Sequence, residues 1–127
     1  MKRRHKMVDV IIYSLILALV TQWLLPMILN TKNMDWMLSN RDETVDISVM
    51  CSRAKRASVN FQESYPAFLA ISIISMVQGV DIVSLATYWL VLRALFMVAY
   101  TAGITYLRTL LWMGSLVCLI MMAMALM

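Results

Sequence analysis

The sequence predicts an all-α integral membrane protein, an up-down-up-down bundle of four transmembrane helices forming one domain over residues 1–127. Three observations carry this reading. Hydrophobic residues make up 62% of the chain and charged residues 14%, against about 25% charged in soluble proteins, and the mean hydropathy is +0.78. Four apolar stretches, 10–29, 65–80, 82–101 and 109–127, each approach the ~20 residues a helix needs to cross ~30 Å of hydrocarbon. The connections joining the last three are short, and short connections force neighbouring helices to run antiparallel.

The first stretch follows the basic start MKRRHK, an arrangement that mimics a secretory signal. The apolar run is too long for a signal core and no small-residue cleavage site follows it, so it reads as a retained first span. A polar connection, NTKNMDWMLSNRDETVDISV over 30–49, is the one loop large enough to fold over something. Helical character returns from Ile47, and no Gly or Pro intervenes before Pro66. The second helix is therefore expected over 47–80, ~50 Å long, with its first half outside the bilayer and a short apolar tail within it. Gln78, Gly79 and Asp81 form a tight turn into the third span, and TAGITYLR over 101–108 forms another into the fourth. The closing LIMMAMALM reads as lipid-facing filler.

Composition also excludes chemistry. The two cysteines, Cys51 and Cys118, fall before the second span and in the middle of the fourth, too far apart for a disulfide. His5 is the single histidine, so no metal site is expected. The net charge of +4 is scattered rather than gathered into a patch interleaved with aromatics, which argues against nucleic acid and for lipid headgroups as the anionic neighbours of Lys2, Arg3, Arg4 and Lys6. Membrane orientation is pulled both ways: MKRRHK draws the N-terminus to the cytoplasm, whereas Lys32, Arg41, Arg53, Lys55 and Arg56 draw the opposite side.

Within RAKRASVNFQESYPAF, residues 53–68, Arg53, Arg56, Asn60 and Glu63 are spaced by three, four and three, and so share one helix face. Arg53 and Lys55 read as solvated charges. For Asn60 and Glu63 the solvated reading weakens, because Pro66 and the apolar run begin within one turn and a carboxylate at that depth needs a partner. Arg93 sits in the middle of YWLVLRALFMVAY; a central arginine costs about 2.5–3.5 kcal/mol on insertion scales, and so faces the bundle interior or a wet cavity. Tyr100 lies two turns along the same face. Arg108 opens the fourth span, where a snorkelling interfacial arginine is the plain alternative. If Arg56, Arg93 and Arg108 converge with Glu63, positive charge is in surplus. Such a pocket suits an anionic ligand bearing an amine, with carboxylates on the guanidinium forks and a thiol held as thiolate.

These residues resemble a known family. Arg56, Ala57, Asn60, Glu63, Pro66 and Phe68 in RAKRASVNFQESYPAFLA, with Arg93, Tyr100 and Arg108 in LRALFMVAYTAGITYLRTLLW, are similar to the two signatures of the MAPEG family, the membrane-associated proteins of eicosanoid and glutathione metabolism. Leukotriene C synthase, microsomal prostaglandin E synthase and microsomal glutathione transferases belong to it. The resemblance covers about a third of the chain and implies a homotrimer with glutathione held between subunits and open to the cytoplasm. It implies glutathione binding by Arg56, Asn60, Glu63, Arg93 and Tyr100, and thiolate stabilisation by Arg108. It also puts both termini outside the cytoplasm, against the pull of MKRRHK. Leukotriene C synthase has Gln and Tyr where this chain has Ser58 and Phe96, which removes two polar contacts. The segment SNRDETVDISVMCSRAKRA is closest to a bacterial branch, implying a multi-pass protein of the inner membrane.

The function expected is therefore a glutathione-dependent transferase or peroxidase acting on lipophilic electrophiles, with glutathione as co-substrate and no metal. Its partners would be further copies of itself, membrane lipid and a hydrophobic small molecule. The alternatives are a binding or scaffold protein without turnover, and a small multidrug transporter. The transporter class depends on an acidic residue within its first span, and 10–29 contains none.

Overall fold

The structure, a computed structural model, describes residues 2–33, 35, 38, 39 and 48–127. Four helices dominate it. The first, α1, is α-helical over Lys2–Leu19, widens into a π-helical turn over Val20–Leu24 and resumes over Leu25–Leu29. The widening has a local cause. Pro26 has no N–H to close the α-helical bond to Gln22, and just before it the Leu25 N–H reaches back five residues to the Val20 carbonyl. A short 3₁₀ turn, Thr31–Asn33, follows. Most of the polar connection expected over 30–49 lies outside the described residues.

Helix α2 runs over Val49–Gln78. It starts two residues later than expected because Ser48 caps it: the Ser48 backbone is extended, at φ −64 and ψ 157, and its Oγ accepts the Cys51 N–H at 3.0 Å. Gly79, in the left-handed region at φ 72, ends α2, with the Val80 N–H reaching the Ser75 carbonyl at 3.0 Å. Helices α3 (Val83–Ala102) and α4 (Thr105–Leu126) follow.

Three of these helices are long and apolar enough to cross a membrane: Lys6–Leu29, Val83–Ala102 and Thr105–Leu126. Helix α2 is the longest yet falls outside that class. Its apolar part is short and is interrupted by Ser64, Ser72 and Ser75, of which Ser72 and Ser75 are buried. The span expected over 65–80 corresponds to this apolar tail.

Two contact regions join the helices. Phe61, Tyr65 and Phe68 of α2 gather around Trp89 of α3, with Phe68 stacked on Trp89 at 4.0 Å between centroids and Phe61 at 5.8 Å. Tyr65 also meets Ser14 of α1 through a buried hydroxyl pair at 2.8 Å. Toward the other end, Ala54 and Ala57 of α2 pack on Phe96 and Met97 of α3, with Leu25 and Leu29 of α1 alongside. Small residues matter here because lipid is as apolar as the side chains, so helices associate through close backbone approach and packing. The outer faces are apolar: Leu15, Ile16, Val98, Leu110 and Val117 are exposed, as lipid contact requires. Met121 and Met124 fit the lipid-facing reading of the C-terminal methionines, whereas Met122 is fully buried.

Replacing Trp89, the shared partner of three aromatic rings, removes stacking and opens a cavity. Trp89→Ala is expected to destabilise the protein by about 3–5 kcal/mol, read as a lowered melting temperature in detergent. An exposed control, Tyr88→Ala, should leave it nearly unchanged.

Candidate functional site

The stripe on α2 meets α3 and α4 at one cavity. It encloses about 480 Å³ and is walled by Arg56, Asn60 and Glu63 from α2, Phe96 and Tyr100 from α3, and Arg108 and Trp112 from α4. The helical spacing of Arg56, Asn60 and Glu63 points all three the same way, and the tight turn at Gly103 brings the first turn of α4 back against them. That turn is fixed by a double bond pattern: the Gly103 N–H donates to Tyr100 and the Ile104 N–H to Ala99, with Gly103 at φ 85. One end of the cavity is cationic and the Val59, Phe96 and Trp112 side is apolar.

Arg108 lies over the Tyr100 ring, its Cζ 4.5 Å from the centroid. The aromatic face holds the guanidinium in place without consuming its donors. Arg56 donates to Ser52 Oγ at 3.1 Å, one turn back along α2, and is otherwise exposed. Glu63 is also exposed.

Arg93 is placed differently from its reading as a lining residue. It is 1% exposed and does not reach the cavity surface. Its Nη2 donates to Asn60 Oδ1 at 2.9 Å, and its Cζ sits 4.5 Å from the Phe96 centroid and 5.6 Å from that of Phe61. Its Nε has no hydrogen-bond partner among the described residues. A guanidinium only donates, so Asn60 must turn its carbonyl oxygen toward Arg93, which leaves its N–H pair free of that bond at the cavity wall. Arg93 thus stands behind Asn60.

Ser58 and Phe96 are both buried. Ser58 accepts from Gln62, and Phe96 contributes an apolar wall and an edge-on contact to Tyr100 at 5.5 Å. Arg53, read as a solvated charge, is instead half-buried against the turn at Gly103. The sequence signal for it was weak: a three-residue offset from Arg56, with nothing to say which turn returns to that level.

The MAPEG family model matches residues 10–127. The chain belongs to the MAPEG family. It is thus an integral membrane protein of a family that includes enzymes of glutathione transferase and peroxidase type. No curated protein and no solved structure matches it significantly. Both signature segments of this MAPEG chain fall within the matched range, and the cavity lies where they meet.

The Arg93–Asn60 bond yields an asymmetric expectation. Asn60→Leu strands a buried cation and should cost about 1.5–3 kcal/mol, the worth of a hydrogen bond to a charged group. Removing the cation as well should restore stability, since an apolar replacement of both partners is close to neutral. Melting of Asn60→Leu, Arg93→Met and the double variant in detergent checks this, with the double variant more stable than Asn60→Leu alone.

Proposed function

We infer that this protein is a glutathione-dependent transferase or peroxidase for lipophilic electrophiles, working as a homotrimer in a bacterial inner membrane. The observation that carries the reading is the single cavity in which Arg56, Asn60, Glu63, Tyr100 and Arg108 meet beside an apolar wall. Family membership supports the same chemistry.

Glutathione carries one amine, two carboxylates and a thiol, and the cavity offers a counterpart for each. Glu63 takes the ammonium group, and Arg56 takes a carboxylate through its planar fork. Asn60, turned by Arg93, donates to a peptide carbonyl. The positive charge of Arg108 favours the thiolate over the thiol, raising the fraction of nucleophile near neutral pH. In conjugation to a chlorinated aromatic, the thiolate sulfur forms the C–S bond, the C–Cl bond breaks and chloride leaves, while the thiol proton has passed to solvent. In the peroxidase reaction the sulfur attacks the hydroperoxide and releases an alcohol. A second glutathione then completes the disulfide, so that two thiols reduce one hydroperoxide to alcohol and water. The Val59, Phe96 and Trp112 wall suits the apolar body of the electrophile.

A trimer fits the exposure of the wall. Arg56 and Glu63 are exposed in the single subunit, and a neighbouring copy set against α2 would cover them and exclude water from the thiolate.

Glutathione is expected to raise the melting temperature of the detergent-purified protein, because a ligand bound only by the folded state stabilises it, by about 2.7 kcal/mol at 100 times its dissociation constant. Arg108→Ala should lower the conjugation rate with a hydrophobic chlorinated aromatic roughly a hundredfold and shift the pH–rate profile to higher pH, since the thiol then ionises less readily. No thermal shift with glutathione, together with an unchanged rate in Arg108→Ala, would contradict the assignment.

A further inference from the structure

A second cavity adjoins the first. It encloses about 290 Å³ and is lined by Arg53, Arg56, Tyr100, Gly103, Thr105 and Arg108. Arg53 is seated in it by Gly103: a Cβ at that position would lie 2.6 Å from Arg53 Nη1 and 2.8 Å from its Cζ. The guanidinium thus occupies space that only a glycine leaves open, at a turn whose φ of 85 also favours glycine.

The charge is unbalanced. Three guanidinium groups line one small space, and no carboxylate lines it with them. Each guanidinium offers five N–H donors, yet the one side-chain hydrogen bond these three make among the described residues is that from Arg56 to Ser52. The hydroxyls of Tyr100 and Thr105 add further donors. Like charges gathered this way call for an anion with several acceptor oxygens. The volume lies just below the ~300–1,000 Å³ of pockets for whole small molecules, and so suits a charged group rather than a second substrate.

Helix geometry separates Arg53 from glutathione, whereas Arg56 and Arg108 line both cavities. Arg56 and Glu63 are seven residues apart, ~10 Å along α2, which matches the ~10 Å reach of an extended tripeptide. Arg53 lies almost a further turn away, beyond a peptide anchored at those two residues. The turn at Gly103 joins two membrane-crossing helices, so the cavity sits at the edge of the hydrocarbon, at headgroup depth. We propose that the Arg53–Gly103 cavity is a phosphate site, adjoining the glutathione site and sharing Arg56, Tyr100 and Arg108 with it, in which Arg53 holds the phosphodiester of an anionic phospholipid or a free phosphate.

The test uses the full chain purified in neutral detergent, with two probes. Native mass spectrometry measures retention of phosphatidylglycerol against phosphatidylcholine. Thermal shift measures inorganic phosphate against potassium chloride of equal ionic strength. In Arg53→Gln the preference for phosphatidylglycerol should fall about fivefold, the effect of one basic residue at a membrane surface, while glutathione affinity stays unchanged. A phosphate-induced shift in the wild-type protein that Arg53→Gln abolishes, without change in lipid retention, identifies free phosphate as the source and supports the site. Should Arg53→Gln fail to purify folded, Arg53→Lys serves, keeping the charge but losing the fork, with a smaller loss in the same readouts. If neither probe distinguishes wild type from variant, or if glutathione affinity falls along with phosphate binding, the proposal is overturned. Because glutathione binding is read separately, loss of the glutathione assignment would leave this site standing.

Discussion

A buried arginine is the constraint around which the rest is arranged. Arg93 carries its charge into the packed middle of the helices, 1% exposed, with one neutral hydrogen-bond partner and two aromatic faces around it. Isolated in hydrocarbon such a group is costly, so α2 must lie close enough for Asn60 to reach it and for Phe61 to cover it. Ala54, Ala57 and Ser58, all buried on α2, permit that approach. The Phe61, Tyr65, Phe68 and Trp89 cluster holds the same pair of helices further along. Once α2 is set against α3 in this register, the Arg56, Asn60, Glu63 face has one direction left to look, and that direction is the cavity.

Charge distribution then accounts for the chemistry the cavity can support. The cationic end is built from Arg56 of α2 and Arg108 of α4, with Arg53 of α2 in the adjoining cavity, and the three are held by different means: Arg56 by a serine one helical turn back, Arg108 by the Tyr100 ring, and Arg53 by the gap at Gly103. None of these contacts neutralises a cation. The positive field is therefore preserved for whatever binds, and the low-dielectric surroundings strengthen it. Opposite lies an apolar wall of Val59, Phe96 and Trp112, so one cavity offers a cationic and an apolar surface side by side. The glycine turns matter for the same reason: by ending α3 abruptly, Gly103 brings Arg108 onto the level of Arg56.

Much of this arrangement was legible from residue spacing. The three, four, three interval of the α2 stripe, the anomaly of Arg93 inside an apolar span and the turn glycines at 79 and 103 all point to features found in the structure. Periodicity reports which residues share a face of one helix. It does not report the crossing level between two helices, which is what sets Arg93 behind Asn60 rather than in the pocket wall. The burial of Arg53 is invisible to periodicity for a similar reason, since it is the return of the chain at Gly103 that half-encloses it. Helix α2 starts at Val49 rather than Ile47 because Ser48 caps it, and its apolar tail, with Ser72 and Ser75 buried and Ile73, Ile74 and Val77 exposed, is less apolar than the three long spans.

The central claim is that this cationic cavity binds glutathione as its thiolate, and the ultraviolet absorbance of the thiolate tests it most directly. Titrating glutathione into the detergent-purified wild-type protein at a pH below the ordinary thiol range should produce a saturable thiolate band, and Arg108→Ala should produce none. A wild-type protein that binds glutathione without any thiolate band, or that gives no saturable signal at all, would contradict the account.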